Sequence, residues 1–175
     1  MTRLHECLAL MDAGTARVGE SIPDLPLPEV RLTRLLLLVG GTLLTELEAT
    51  LKPHGLNDSD FRTLMLIYSS PQGSATPGEL CEYAQQGPTN MTRIANVLVK
   101  AGLVTRAPSA EDRRRVLLSI TPAGKRLVRK ILPPLFPRVL GAFASLSTSD
   151  KRTLDRLLRQ VALNIDTLTQ SDRRP

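Results

Sequence analysis

Several residue types on which particular classes of protein depend are rare in this sequence. Its 175 residues include no Trp, and aromatic residues make up 3% of the chain. Proteins that bind RNA or single-stranded DNA commonly stack bases on aromatic side chains, so the composition disfavours that class. His5 and His54 are the only histidines, no Gly-rich phosphate loop precedes a helix, and no cluster of His, Cys, Asp and Glu has metal-ligand spacing. We therefore expect neither an enzyme nor a cofactor.

Cysteine and long apolar runs are also scarce. The two cysteines, Cys7 and Cys81, form neither a metal motif nor a disulfide framework, which is typical of a reducing compartment. The longest aliphatic run, at residues 35–39, is far shorter than the roughly 20 residues that span a bilayer. Residues 1–20 lack the pattern of a signal peptide. We expect a cytoplasmic protein with no membrane partner.

The positive charge is concentrated in one part of the chain. The formal net charge is +6, but residues 88–130 contain ten Lys and Arg residues against two Asp and Glu, a net charge of +8. The rest of the chain therefore carries −2. This distribution is typical of a protein that binds a polyanion, and duplex DNA is the simplest candidate.

Hydrophobic periodicity predicts a mainly α-helical chain. Residues 4–18 are compatible with a short helix that the prolines at residues 22–28 end, so we interpret residues 1–30 as an N-terminal extension. A long helix is predicted over residues 31–52, and its wide apolar stripe fits either a buried helix or one that packs on a second subunit. Shorter helices are predicted over residues 57–70, 79–85 and 88–101, followed by helices that begin near residues 121 and 147.

The helix predicted from residue 88 separates an apolar face from a polar one. The apolar face consists of Met91, Ile94, Leu98 and Ala101. The polar face has no acidic residue, which fits a helix that meets base edges in the major groove, although any amphipathic surface helix has a polar face. The candidate DNA contacts on it are Thr89, Asn90, Thr92, Arg93 and Asn96.

Two β-prone segments, at residues 102–106 and 116–121, flank a cluster of arginines and predict a hairpin with a cationic tip. Clustered arginines repel one another and are costly to bury, so the tip should face an anion. Arginine suits the narrow minor groove of A·T-rich DNA. Asp112 either braces the turn through an ion pair with Arg114 or is a solvated turn residue. The candidate contacts here are Arg106, Arg113, Arg114 and Arg115.

The order of short helix, turn, second helix and hairpin predicts a winged helix-turn-helix with a short two-stranded β wing over residues 56–124. The residues that carry this pattern resemble the signature of the MarR family of bacterial transcriptional regulators: LVTR at 103–106, EDRR at 111–114 and LSITPAG at 118–124. Other segments resemble more narrowly the EmrR (MprA) branch, which represses multidrug efflux operons: residues 31–35, 89–96, 100–104 and 132–134. Arg115 stands where the family usually has a small or polar residue.

The resemblance implies a homodimer held by helices from both termini, here a dimerisation helix at residues 31–55 and C-terminal helices at 125–170, with a tail at 171–175. It also implies binding to a pseudo-palindromic operator and release by a small phenolic or lipophilic effector. Three prolines within the helix predicted from residue 121 are expected to kink it. For the effector pocket we expect the following residues, each of which equally fits an ordinary core position: His54, Phe61, Met65, Tyr68 and Phe136.

Two other functions remain open at this point. Cys7 would suit a thiol-based redox-sensing regulator of the same fold, although a plain exposed thiol is the simpler interpretation. Cys81 is expected in the core. From another class, a winged helix can serve as a protein-interaction module, but the +8 charge of residues 88–130 argues against a neutral contact surface.

Overall fold

The computed structural model describes residues 3–108 and 115–171, which form a mainly α-helical winged helix-turn-helix preceded and followed in the sequence by long helices. The predicted fold class is confirmed. The helices are α1 (Arg3–Ser21), α2 (Leu27–Leu51), α3 (Asp58–Ser69), α4 (Pro77–Tyr83), α5 (Pro88–Lys100), α6 (Pro122–Ala142) and α7 (Thr148–Ser171), and the strands are β1 (Ser74–Ala75), β2 (Val104–Pro108) and β3 (Val116–Ile120). The chain divides into two compact units, Met1–Val128 and Arg129–Pro175.

The first unit opens with two helices that pack against each other. Helix α2 begins at Leu27, four residues earlier than predicted, because Pro28 lies in its first turn, where a missing N–H breaks no hydrogen bond. Arg34 Nη1 donates to the buried Thr15 hydroxyl at 2.7 Å, and Arg31 pairs with Asp12 at 3.1 Å. Residues of α1 are therefore held along α2 by specific contacts.

Side-chain caps define the start of α3. The Asn57 side chain accepts a hydrogen bond from the backbone N–H of Asp60 at 2.9 Å, and the Asp60 carboxylate accepts one from the backbone N–H of Asn57 at 3.3 Å. Leu56 and Phe61, on either side of this capping box, are both buried. They form a hydrophobic staple around the cap, as expected for apolar residues at these two positions.

Helix α4 begins in the same way. The Thr76 hydroxyl accepts from the Glu79 backbone N–H, the Glu79 carboxylate accepts from the Thr76 backbone N–H at 2.7 Å, and Pro77 lies in the first turn. The helix ends at Tyr83, two residues earlier than predicted, and Gln85 then has a φ of 53°. A positive φ cannot continue a right-handed helix.

The sheet has three strands in the order β1-β3-β2, all antiparallel. The predicted hairpin is the β2–β3 pair, in which Val104 lies opposite Ile120 and Pro108 opposite Val116. Strand β1 pairs Ser74 with Ser119 and was not predicted, because two residues are too few to show a periodicity. The core beneath the sheet consists of fully buried side chains, which include Leu64, Ile67, Leu80, Ile94, Leu98 and Leu118.

Helix α6 continues through Pro133, Pro134 and Pro137 to Ala142, so the three prolines do not end it. In the second unit, Ser147 and Asp150 form a reciprocal cap at the start of α7. None of the residues of α7 is buried. Leu163 lies on one side of the helix by itself. The other large apolar side chains form a stripe on the opposite side: Leu154, Leu157, Leu158, Val161, Ile165 and Leu168.

Candidate nucleic-acid interface

Helix α5 presents its polar face to solvent, as the sequence predicts. Its inner face is buried and consists of Met91, Ile94, Ala95 and Leu98. The prediction that Ala101 belongs to this face is wrong, because the helix ends at Lys100 and Ala101 is an exposed C-cap residue. Of the predicted DNA contacts, Asn90 is half-buried and the others are exposed: Thr89, Thr92, Arg93 and Asn96.

A hydrogen-bonded chain of side chains runs along this face. Arg93 Nε donates to Asn90 Oδ1 at 2.9 Å, and the Asn90 amide donates to Gln86 Oε1. At its other end, Arg93 Nη2 lies 3.4 Å from Asp60 Oδ1, which belongs to the capping box of α3. The polar face has no acidic residue along α5 itself, but α3 brings one to it. We call these four side chains the Arg93 network: Asp60, Gln86, Asn90 and Arg93.

The threonines at the amino end of α5 differ in what they can offer a ligand. The Thr92 hydroxyl donates to the backbone oxygen of Pro88 at 3.0 Å, so its proton is already engaged and its oxygen remains an acceptor. Thr89 is exposed one residue after the proline that opens the helix. The backbone N–H groups of a helix amino terminus favour negatively charged groups, which suits a phosphate at this end of α5.

The wing extends from the buried base of the hairpin. Val104 is the only buried residue of β2, and Arg106, two residues further along the strand, is exposed. Arg115 is exposed immediately before β3. The predicted tip contacts Arg113 and Arg114, and the predicted brace Asp112, lie outside the described residues.

The positive charge of Arg115, next to β3, acts on the Glu79 carboxylate in the first turn of α4. Hydrogen bonds from the backbone and the hydroxyl of Thr76 lower the pKa of the Glu79 carboxyl, and the positive charge of Arg115 lowers it further. The carboxylate is exposed, so its charged form is also well solvated. Glu79 is therefore ionised at neutral pH and stabilises the amino end of α4.

The predicted effector residues occupy different environments. Phe61 is buried in α3, whereas Met65, Tyr68 and His54 are half-buried. Phe136 belongs to the second unit, where 54% of its surface is exposed.

A cavity of about 630 Å³ lies between the end of α2 and the start of α3, and the five predicted effector residues do not line it. Its walls include the side chains of Glu48, Lys52, Asn57 and Asp60. Two carboxylates and one ammonium group therefore lie in its walls. Because Asp60 belongs both to this cavity and to the Arg93 network, the two features share a side chain.

The cysteines and the metal-ligating residues form no further site in the part of the chain that the structure describes. Cys7 is an exposed free thiol on α1, beside Met11 and Arg34, and Cys81 is a half-buried free thiol on α4. Among the described residues, no group of three or more His, Cys, Asp and Glu side chains is placed to hold a metal ion. Within the same residues, no helix is both long and apolar enough to cross a bilayer.

Sequence comparison identifies the family to which this arrangement belongs. A model of the MarR family matches residues 54–115, from the end of α2 to the wing. Over 147 residues, which are 84% of each chain, the sequence is 33% identical to the transcriptional repressor MprA of Escherichia coli strain K12. This chain belongs to the MarR family. The similarity to the EmrR (MprA) branch is likewise confirmed.

Solved structures of MarR proteins have the same fold. A mutant of MarR from E. coli, complexed with operator DNA, has a TM-score of 0.68 and 26% sequence identity, with 79% of this chain and 98% of that chain covered. AbsC from Streptomyces coelicolor, a MarR family transcriptional regulator, has a TM-score of 0.72 and 25% identity, with 83% of this chain and 97% of that chain covered. The protein is accordingly a transcriptional regulator and not an enzyme.

The sequence did not identify Asp60 as a partner of Arg93. An acidic residue in the first turn of α3 is expected in any case, because it lies near the positive end of the helix dipole. The contact of Asp60 with Arg93 joins residues 33 positions apart, and no local pattern reports such a pair. The available signal was the capping box, which places the Asp60 side chain at the start of α3, but the sequence does not show what lies opposite that end.

Proposed function

We propose that this protein is a transcriptional repressor that binds a specific sequence of duplex DNA as a homodimer. The observation that carries the proposal is the exposed polar face of α5 beside a basic wing, both within the segment of charge +8. A helix of this kind reads base edges in the major groove, while the wing reaches the neighbouring minor groove. The proposed contacts are Thr89, Asn90, Thr92, Arg93, Asn96, Arg106, Arg113, Arg114 and Arg115, with Asp112 as the brace of the tip.

The relatives support repression and DNA binding. MprA, to which the chain is 33% identical, is named a transcriptional repressor, and the MarR mutant was solved with operator DNA. Because the two recognition helices of a symmetric dimer lie one helical turn of DNA apart, the operator should be pseudo-palindromic. A transcriptional repressor acts on the chromosome, so we propose that this protein is located in the bacterial cytoplasm.

Unpartnered apolar surface supports the homodimer. On α2, Leu37 is 71% exposed, and on α7, Leu168 is 66% exposed. Apolar side chains repeated along a helix without a partner are typical of interaction surfaces, since burying them contributes roughly 25 cal/mol per Å². The resemblance to the family assigns this role to helices from both termini. We therefore propose that the stripe on α7 and the exposed leucines of α2 are covered by a second copy.

Release by a small lipophilic or phenolic effector, and control of an efflux or stress operon, follow from the resemblance to the EmrR branch. The predicted effector contacts remain His54, Phe61, Met65, Tyr68 and Phe136. The thiol-based alternative is not favoured, because Cys7 and Cys81 are free thiols on separate helices and the relative of 33% identity is named a transcriptional repressor with no redox function in its name. The alternative from another class, a protein-interaction module, has no support from these relatives, which are named transcriptional regulators.

The decisive experiment is to isolate genomic fragments that the purified protein retains and to titrate the enriched sequence at several salt concentrations. We expect tight binding to one family of pseudo-palindromic sites and a steep loss of affinity with salt, since each neutralised phosphate contributes about −0.9 to the logarithmic slope. A duplex of scrambled sequence is the matched control. Binding that is flat with salt, or absent, would favour the protein-interaction module.

A further inference from the structure

The Asp60 side chain is 5% exposed, yet it carries a charge. Burying a carboxylate is costly unless its oxygens are paired or hydrogen-bonded. Here Oδ2 accepts from the backbone N–H of Asn57 at 3.3 Å, and Oδ1 lies 3.4 Å from Arg93 Nη2. The carboxylate therefore links the first turn of α3 to the outer face of α5.

Arg93 is held from two sides. Its Nη2 contacts Asp60 while its Nε donates to Asn90, whose own amide is bonded to Gln86. The guanidinium has five N–H donors in a rigid plane, so these two contacts fix the plane and leave Nη1 and the second N–H of Nη2 available to a further acceptor. With 47% of the Arg93 side chain exposed, that acceptor can approach from solvent.

We propose that Asp60 is a positioning residue for DNA recognition, which holds the guanidinium of Arg93 in the orientation that reads a base. A bidentate contact between arginine and guanine requires the guanidinium plane to match the base edge. A side chain fixed before binding loses less rotamer freedom on contact than a mobile one. Asp60 thus contributes to specificity without touching DNA. This inference rests on the proposed DNA binding.

The test measures affinity for the operator and for a scrambled duplex of equal length, with Asp60→Asn and Asp58→Asn compared. Asn keeps the size of Asp and an acceptor for the cap, but it loses the charge that holds Arg93. Asp58 is the matched control, because it lies in the same first turn and pairs with Arg62 at 2.6 Å on its own helix. We expect Asp60→Asn to weaken operator binding about tenfold with little change on the scrambled duplex, and Asp58→Asn to do neither.

Four further variants, one of them a double variant, separate positioning from a structural role. Asp60→Glu restores both charge and capping chemistry and should recover much of the lost preference. Arg93→Ala should lose the preference by itself, and adding Asp60→Asn should then cause little further loss, because the two residues act through one contact. Arg93→Lys keeps the charge but cannot bond Asp60 and Asn90 from one plane, so it should lower the operator preference while the salt slope stays unchanged.

The proposal is overturned if Asp60→Asn keeps the wild-type preference for the operator, or if its effect on that preference simply adds to the effect of Arg93→Ala. It is also overturned if Asp60→Asn binds both duplexes more tightly than wild type, since a uniform gain in affinity would mean that the carboxylate only repels DNA. If Asp60→Asn fails to fold, Arg93→Lys decides alone, and a wild-type preference in that variant overturns the proposal. Failure of the wild-type protein to bind any duplex would instead contradict the proposed function.

Discussion

Gly124, in the first turn of α6, lies so close to Leu103 that a Cβ at this position would overlap the Leu103 carbonyl oxygen. The same carbonyl accepts hydrogen bonds from the backbone N–H and the hydroxyl of Thr121. Thr121 also accepts from the backbone N–H of Gly124 at 3.0 Å. Hydrogen bonds thus hold the start of α6 against the base of the wing. The helix can come this close to the Leu103 backbone because Gly124 has no side chain.

Gly124→Ala should therefore destabilise the protein, although alanine is normally the better helix former. Overlap with a backbone atom forces a shift of the helix start, and we expect a cost of about 1–3 kcal/mol. Urea unfolding monitored by circular dichroism measures this cost. Gly141→Ala in the same helix is the control, because no atom within 4 Å opposes its Cβ. A Gly124→Ala protein as stable as wild type would contradict the close packing.

The cap of α4 predicts a pH-dependent stability. Thr76→Ala removes the hydroxyl that accepts from the Glu79 backbone N–H, and should cost about 1 kcal/mol at neutral pH. The hydrogen bonds from Thr76 lower the pKa of Glu79 in the folded protein below its ordinary value of 4.5. Such a carboxylate stabilises the fold above the unfolded-state pKa, and this stabilisation is lost as pH falls through the lower folded-state pKa.

The backbone N–H of Thr76 still donates to Glu79 in Thr76→Ala, so the two proteins differ only by the contribution of the hydroxyl. The difference in stability between wild type and Thr76→Ala should accordingly be greater at neutral pH than in acid. Unfolding curves recorded at several pH values test this. Glu79→Gln serves as the control, because it removes the titrating group and should weaken the pH dependence by itself. A difference in stability that stays constant as the pH is lowered would show that the Thr76 hydroxyl does not act through the charge of Glu79.

Local signals account for most of what the sequence predicted, and non-local contacts account for what it did not. The capping box at Thr76 involves residues three positions apart, so it could be predicted from the sequence, and the apolar face of α5 follows from its period. Strand β1 exists because Ser74 and Ala75 pair with residues of β3, which are more than forty positions away in the sequence. The contact of Asp60 with Arg93 likewise depends on how α3 crosses α5.

The interpretation of proline shows a second reason for error. Pro28 was grouped with the prolines that end a helix, whereas it lies inside the first turn of α2. Proline disfavours the helical conformation of the residue before it but suits the first turn itself. The same residue type therefore fits both the end of one helix and the start of the next, and packing of α1 on α2 decides between them.

The tip of the wing should contribute to DNA binding through arginine in the minor groove. Arg114→Ala is expected to weaken operator binding and to relax the preference for A·T-rich flanking sequence, because a narrow minor groove attracts a guanidinium. Arg115→Ala is the comparison, since Arg115 is exposed immediately before β3. Titration of operators with A·T-rich or G·C-rich flanks measures both effects. If only Arg115→Ala changes the preference for the flanks, Arg115 is the inserted residue.

Effector release should depend on the predicted pocket residues. Tyr68→Ala and Phe136→Ala are expected to raise the concentration of a phenolic effector needed to release the operator, because each removes an aromatic contact surface, while operator affinity without effector stays close to wild type. Tyr83→Ala is a suitable control, since Tyr83 is 67% exposed on α4 and is not among the predicted contacts. If both variants release the operator like wild type, the predicted pocket is wrong.

The stripe on α7 should hold the dimer together, and a single charge within it should separate the subunits. Ile165 is 57% exposed in the single chain and lies in the stripe, whereas Leu163 is 67% exposed on the opposite side of the helix. Burying an unpaired carboxylate in an apolar interface is costly, so Ile165→Glu should shift the protein to monomer and weaken operator binding, which requires two recognition helices. Leu163→Glu introduces the same charge on the opposite side of α7 and should leave the protein dimeric. Sedimentation velocity at several concentrations measures the association, and a dimeric Ile165→Glu protein would mean that another surface joins the subunits.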